Sequence, residues 1–258
     1  MPLAVLSFLD HFDPVTPGGG GLGSHRLGRE RRVRDAGMLG HGSRGFLRGL
    51  LWGVLVLALE VSGAASAGAE REVSRADLVR ALERGPGPQK GSERAPVTLV
   101  EFSDFLCFYC GKFAKETLPA IDEMFIRSGK VRFVYRHMAL FGEASLRAAE
   151  ASTCAFDQGK FWEYHDLLFG KRGPLAFASA RLKEYAASLG LNARGFAACL
   201  DGGKFAEIVE TETLMGRALH ITGTPAFLLN GEPLIGAQPF DLFRARIDEI
   251  LKADRRRR

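Results

Sequence analysis

The chain is short of cysteine, and what is missing around its cysteines narrows the chemistry. Only Cys107, Cys110, Cys154 and Cys199 occur in 258 residues. No second C-x-x-C and no H-x3-5-H accompanies the Cys107/Cys110 spacing, so a structural zinc site lacks half of its donors. No metal and no other cofactor is expected. Nor does a stripe of lysine and arginine, interleaved with aromatics, run through the middle of the chain. The formal charge is +5, and much of the basic excess lies in the first fifty residues and the terminal run Arg255–Arg258. That distribution excludes a nucleic-acid groove and leaves the tail as a solvated, frayed end. Long hydrophobic runs are missing too. The apolar stretch 49–59 is about half of the roughly 20 residues that a membrane helix needs.

That stretch has its own logic. Arg44 and Arg48 precede it, and small residues including Ala65-Ser66-Ala67 follow it. A basic flank, a short apolar run and an A-x-A exit form a secretory signal peptide, here placed at residues 38–69. Signal cleavage would leave a periplasmic or extracytoplasmic protein, and a retained signal would leave it membrane-anchored. Residues 18–45 are rich in glycine and arginine and follow no helical or strand period. Residues 1–37 are expected to be untranslated, with synthesis starting at Met38, or disordered. Residues 70–95 read as an N-terminal helix and linker, with Ser74 and Asp77 as an N-cap pair and Gly85-Pro86-Gly87-Pro88 as the linker.

The apolar, β-rich run Val97-Thr98-Leu99-Val100-Glu101-Phe102-Ser103 predicts a buried strand. Cys107-Phe108-Tyr109-Cys110 follows it, and Lys112 to Leu118 then has helical spacing until Pro119, which should kink the helix. The pair therefore sits where a strand ends and a helix begins. Free amides and the macrodipole at a helix N-terminus stabilise a thiolate, which makes Cys107 the attacking or leaving sulfur. Cys110, one turn further in, becomes the resolving thiol. A zinc pair and a bare structural disulfide compete with this reading. The first lacks ligands, and the second gains little from closing so short a loop.

The segment Glu101-Phe102-Ser103-Asp104-Phe105-Leu106-Cys107-Phe108-Tyr109-Cys110 resembles the active-site region of the DsbA-like thioredoxin-fold protein-disulfide oxidoreductases. Val131–Leu140, the stretch from Cys154 to His165, and Gly223–Gly231 resemble further segments of that family in the same order. The resemblance implies an α/β thioredoxin fold over 96–258 with an inserted helical subdomain at about 143–219. Phe161, His165, Leu168 and Phe169, and Leu182, Tyr185, Ala186 and Leu189, recur there at helical spacing. The resemblance also implies that Pro225 is cis and faces the cysteines. The Thr224 backbone would then receive an extended peptide by strand addition, with Phe108 and Tyr109 as further substrate contacts. Glu101 would be a buried acid that relays a proton to or from Cys110.

The implied activity is disulfide formation in unfolded or extended secreted polypeptides, with a DsbB-like or vitamin K epoxide reductase-like membrane quinone reductase as reoxidant. Phe108 and Tyr109 depart from the Pro-His pair of the best-known oxidases, and without that imidazole a weaker thiolate and a less oxidising disulfide are expected. A disulfide reductase or isomerase is therefore the rival enzyme reading. A non-catalytic thioredoxin-fold module that binds peptides or a metal is the rival of another class. Isomerases of this kind carry an added dimerisation domain, and residues 70–95 are too few for one, so a monomer is expected. Cys154 and Cys199 lie in apolar helical segments, and in an exported protein their even number favours a structural disulfide. His137 and His165 stand alone. A final amphipathic helix is expected over Pro239–Leu251.

Overall fold

The computed structural model describes residues 73–257. The expectations of a start at Met38, a signal peptide at 38–69 and an unmade or disordered 1–37 lie outside the described residues. Among the described residues no helix is long and apolar enough to cross a membrane.

Helix α1 (Arg75–Arg84) starts on a capping box in which Ser74 Oγ accepts from the Asp77 amide and Asp77 accepts from the Ser74 amide. Its apolar side, Leu78, Val79 and Leu82, is buried. The Gly85-Pro86-Gly87-Pro88 segment, expected as a linker, is bound to the sheet. Its carbonyls at Gly85 and Pro86, with that of Leu82, accept from the buried guanidinium of Arg136 at 2.7–2.8 Å. Pro88 O accepts from the Tyr135 amide at 2.9 Å. Gly87 has φ 142°, and a Cβ there would lie 2.5 Å from Arg136 Nη1, so the close approach requires glycine.

The chain then enters a five-stranded sheet of order β1-β3-β2-β4-β5. β1 (Gln89–Lys90) runs antiparallel to β3 (Val131–His137), which runs parallel to the central β2 (Val97–Ser103). β4 (Ala226–Leu229) is antiparallel to β2 and to the edge strand β5 (Glu232–Ile235). A central parallel pair is buried on both faces, which explains the continuous apolar run of β2. Val100 and Phe102 pack with Leu78, Val134 and Met215 on one face. Val97 and Leu99 pack with Phe113, Phe125, Phe133, Phe227 and Phe243 on the other.

Between β2 and β3 the helix alternates in winding: α2 (Phe108–Lys112), a π-helical stretch Phe113–Thr117, α3 (Leu118–Ile121), and a second π-helical stretch Asp122–Ile126. Pro119 lies in the first turn of α3. The Leu118 amide reaches back to Phe113 O, one residue further than an α-turn. The interruption expected at the proline is thus a change of winding, which spares its ring the clash with a preceding carbonyl.

The helical insert lies between β3 and β4. It comprises α4 (Glu143–Phe156), α5 (Phe161–Leu168), a 3-10 turn Pro174–Phe177, α6 (Ser179–Ser188), α7 (Ala193–Asp201) and α8 (Ala206–Ala218). Phe161, Tyr164, Leu168, Phe169, Leu182, Ala186 and Phe196 form its core together with Cys110 and Tyr135. Helix α9 (Phe240–Arg257) buries Phe243, Ile247 and Leu251. It continues past Leu251 through Arg255–Arg257, in place of the frayed end expected there. Basic side chains in a last turn face the negative end of the macrodipole, which favours that extension.

Candidate active site

β2 ends at Ser103, and Cys107 is the N-cap of α2. The Cys107 amide bonds to Asp104 O at 3.0 Å, closing the turn between them. Cys107 keeps 7% of its surface and Cys110 none. Both are thiols in this structure. Thr224–Pro225 is a cis peptide bond. It brings the Thr224 carbonyl to 3.2 Å from Cys107 Sγ, which donates to it. Pro225 itself is buried at the entry to β4. Residues 117 positions apart thus meet at one sulfur.

The two thiols are driven in opposite directions. Cys107 is pushed down to about 6, chiefly by the Cys110 thiol, then by Thr224 and the amides of Cys110 and Tyr109, against the cost of burial. Cys110 is pushed well up by burial, by Cys107 and by the charge of Glu101. The two thiols therefore differ by environment alone. No imidazole stands between them; helix amides and the partner thiol stabilise the thiolate instead.

Glu101 pairs in register with Tyr135 on β3 and Phe227 on β4. Strand alternation puts Ser103 on the same face. Both faces of β2 are buried, so Glu101 has no exposure, and neither carboxyl oxygen has a hydrogen-bond partner. Burial raises its carboxyl to about 8; the Ser103 hydroxyl opposes this and the charge of Cys107 adds to it. The Ser103 and Tyr135 hydroxyls are equally buried and without a hydrogen-bond partner. The Tyr135 phenol is pushed up by burial and then by Glu101 and Cys110. Beneath the thiols lies a small polar cluster that holds its protons near neutral pH.

Phe108 and Tyr109 are 63% and 60% exposed and pack edge to face, with ring centroids 5.5 Å apart. The Arg172 guanidinium stands 6.0 Å from the Phe108 ring centroid. Large aromatics left open beside a reactive sulfur provide an apolar contact surface. Cys154 on α4 and Cys199 on α7 are joined as a disulfide, with Cα atoms 6.0 Å apart, inside the insert core. His137 and His165 are fully buried, and burial pushes both imidazoles down, His137 to about 3. His137 Nε2 contacts Thr153 Oγ1, and His165 Nδ1 contacts Asp166. Among the described residues no group of His, Cys, Asp and Glu side chains gathers as a metal site. Sequence reasoning gave no role to Asp104 or Tyr135. Strand pairing of the two buried runs would have placed Tyr135 beside Glu101, whereas Asp104 gives no local signal.

A family model described as Thioredoxin matches residues 83–249. The chain belongs to the thioredoxin family. The crystal structure of oxidised BdbD from Bacillus subtilis is similar, with TM-score 0.60 and 29% identity over 64% of this chain and 92% of that one. Alpha-DsbA1 of Wolbachia pipientis follows with TM-score 0.59 and 25% identity over 67% of this chain and 96% of that one. This thioredoxin-family chain therefore has a DsbA-like fold with a helical insertion. Disulfide bond formation protein D of Bacillus subtilis is 29% identical over 64% of this chain and 77% of its own length. The Na(+)/H(+) antiporter NhaA 1 of Salinispora arenicola is 32% identical over 80% of this chain. The match covers 31% of that antiporter, so the chain spans about a third of its length.

Proposed function

We propose that this protein is an exported protein-disulfide oxidoreductase that forms disulfides in secreted polypeptides through Cys107 and Cys110. The observation that most supports this is the position of Cys107 Sγ. It is barely exposed at the N-terminus of α2, 3.2 Å from the Thr224 carbonyl of the cis loop. An extended substrate laid against that loop, with Phe108 and Tyr109 alongside, has its own sulfur brought to Cys107.

In the oxidising direction a substrate thiolate attacks Cys107 of the Cys107–Cys110 disulfide. The S–S bond breaks, its electron pair goes to Cys110, and a substrate–Cys107 mixed disulfide forms. Cys110 is buried and cannot keep a negative charge, so protonated Glu101 supplies its proton. A second substrate thiolate then attacks the substrate sulfur of the mixed disulfide. The substrate leaves oxidised, and Cys107 leaves as a thiolate stabilised by the amides of α2. A membrane quinone reductase of the DsbB or vitamin K epoxide reductase kind would accept the two electrons and restore the disulfide.

The test starts from the oxidised protein and a reduced, unfolded polypeptide. One disulfide should pass per protein molecule. In the reverse direction the Cys107 thiolate of a Cys110→Ser variant should attack a disulfide of the oxidised polypeptide, release one substrate thiolate and stay trapped as a mixed disulfide. A trapped adduct on another cysteine, or no transfer, overturns the reading. Equilibration with glutathione fixes direction: a potential well above the glutathione range supports an oxidase, and one near thioredoxin's supports a reductase.

A further inference from the structure

The turn from β2 to α2 aims Cys107, and one buried side chain fastens it. Asp104 is 3% exposed. Its Oδ1 accepts from the Leu106 amide and from Ser145 Oγ, both at 2.8 Å. Its Oδ2 accepts from the Leu140 amide at 2.7 Å. Ser145 Oγ accepts in turn from the Phe141 amide at 3.2 Å. One carboxylate thus joins the redox turn, the loop after β3 and the first turn of α4 in the insert. Backbone amides only donate, so the surroundings of Asp104 are matched to the ionised acid. The hydrogen bonds to Leu140, Leu106 and Ser145 work against the effect of burial, which pushes the carboxyl up.

Leu106 directly precedes Cys107. If the Leu106 amide is released, the turn can tilt and carry Cys107 Sγ away from the amides of Tyr109 and Cys110. We propose that Asp104 is a positioning residue of the redox reaction: it locks the Asp104–Cys107 turn to the helical insert so that Cys107 Sγ stays on the first-turn amides of α2. Asp104 thereby supplies by geometry part of the thiolate stabilisation that the Phe108-Tyr109 dipeptide cannot supply by charge. The proposal rests on the reading of Cys107 and Cys110 as the exchanging pair.

The experiment compares the full-length protein with Asp104→Ala, Asp104→Asn and Ser145→Ala. The rate of Cys107 alkylation is followed against pH, alongside the thermal midpoint and the equilibrium with glutathione. Asp104→Ala should raise the alkylation midpoint by about one pH unit, a tenfold loss of thiolate at pH values below it. The glutathione equilibrium should shift toward the protein disulfide by a similar factor. Ser145→Ala keeps the Leu106 and Leu140 bonds and should move both readouts less, in the same direction. It and Asp104→Asn decide the matter if Asp104→Ala does not fold. Lower thermal midpoints with an unchanged alkylation profile would overturn the proposal. Failure of the wild-type protein to oxidise polypeptides would instead strike the proposed function, because the alkylation profile is read without a substrate.

Discussion

Glu101 has both carboxyl oxygens fully buried, and its carboxyl rises to about 8. The folded protein therefore holds a proton that the unfolded chain releases near 4.5. Its contribution to stability is complete below that unfolded value and is lost as pH rises toward 8. In the oxidised protein, where Cys107 and Cys110 do not titrate, unfolding by urea should show this loss, at most about 1.4 kcal/mol for each pH unit crossed. Glu101→Gln should remove it. In the proposed reaction the same variant deprives Cys110 of its proton donor, so exchange measured at pH 7 should slow by on the order of a hundredfold. Equal rates in the two proteins would exclude Glu101 from proton transfer. That Glu101 is unusual is legible from a charged residue among apolar neighbours. That its strand is buried is legible from the continuous apolar run, but which groups pack around the carboxyl is not, because periodicity does not say what lies on each side.

Among the elements, the α1–β1 segment departs most from its reading in the sequence. Gly-Pro-Gly-Pro signals a break in regular structure, and it is one, but its carbonyls are bound by a side chain about fifty positions away. Arg136 is buried with Glu212, Nη1 to Oε1 2.9 Å, and Glu212 also accepts from the His137 amide at 2.7 Å. Arg136→Met should cost about 3–5 kcal/mol in urea unfolding, because it strands a buried carboxylate and several carbonyls. Adding Glu212→Gln should recover part of that loss. No recovery would mean that the carbonyl contacts dominate. The winding of α2 and α3 belongs to the same scale: Pro119 announced an interruption, and the neighbouring backbone settled its form.

For the whole molecule, the disulfide between Cys154 and Cys199 spans α4 and α7 with a sequence separation of 45. It staples the insert whose α4 also bears Ser145. The double variant Cys154→Ala/Cys199→Ala should lose about 2–4 kcal/mol in thermal or denaturant unfolding. Its exchange rate at Cys107 should be retained, since Cys154 and Cys199 bond to each other and not to Cys107 or Cys110. Free thiols at these positions in the unreduced wild type, read by mass spectrometry, would contradict the pairing. By itself the sequence determined the strand–cysteine–helix junction and the helical content of the insert, and its family resemblance implied the α/β class. The first two follow from local spacing, where residue type and period act directly on the backbone. Only the tertiary structure decided which groups surround the sulfurs: the Thr224 carbonyl, the unsolvated Glu101 beside Tyr135, and the Asp104 tether. Each depends on contacts between segments far apart in the chain, and desolvation and hydrogen bonding there, not residue identity, set how a thiol or carboxyl behaves.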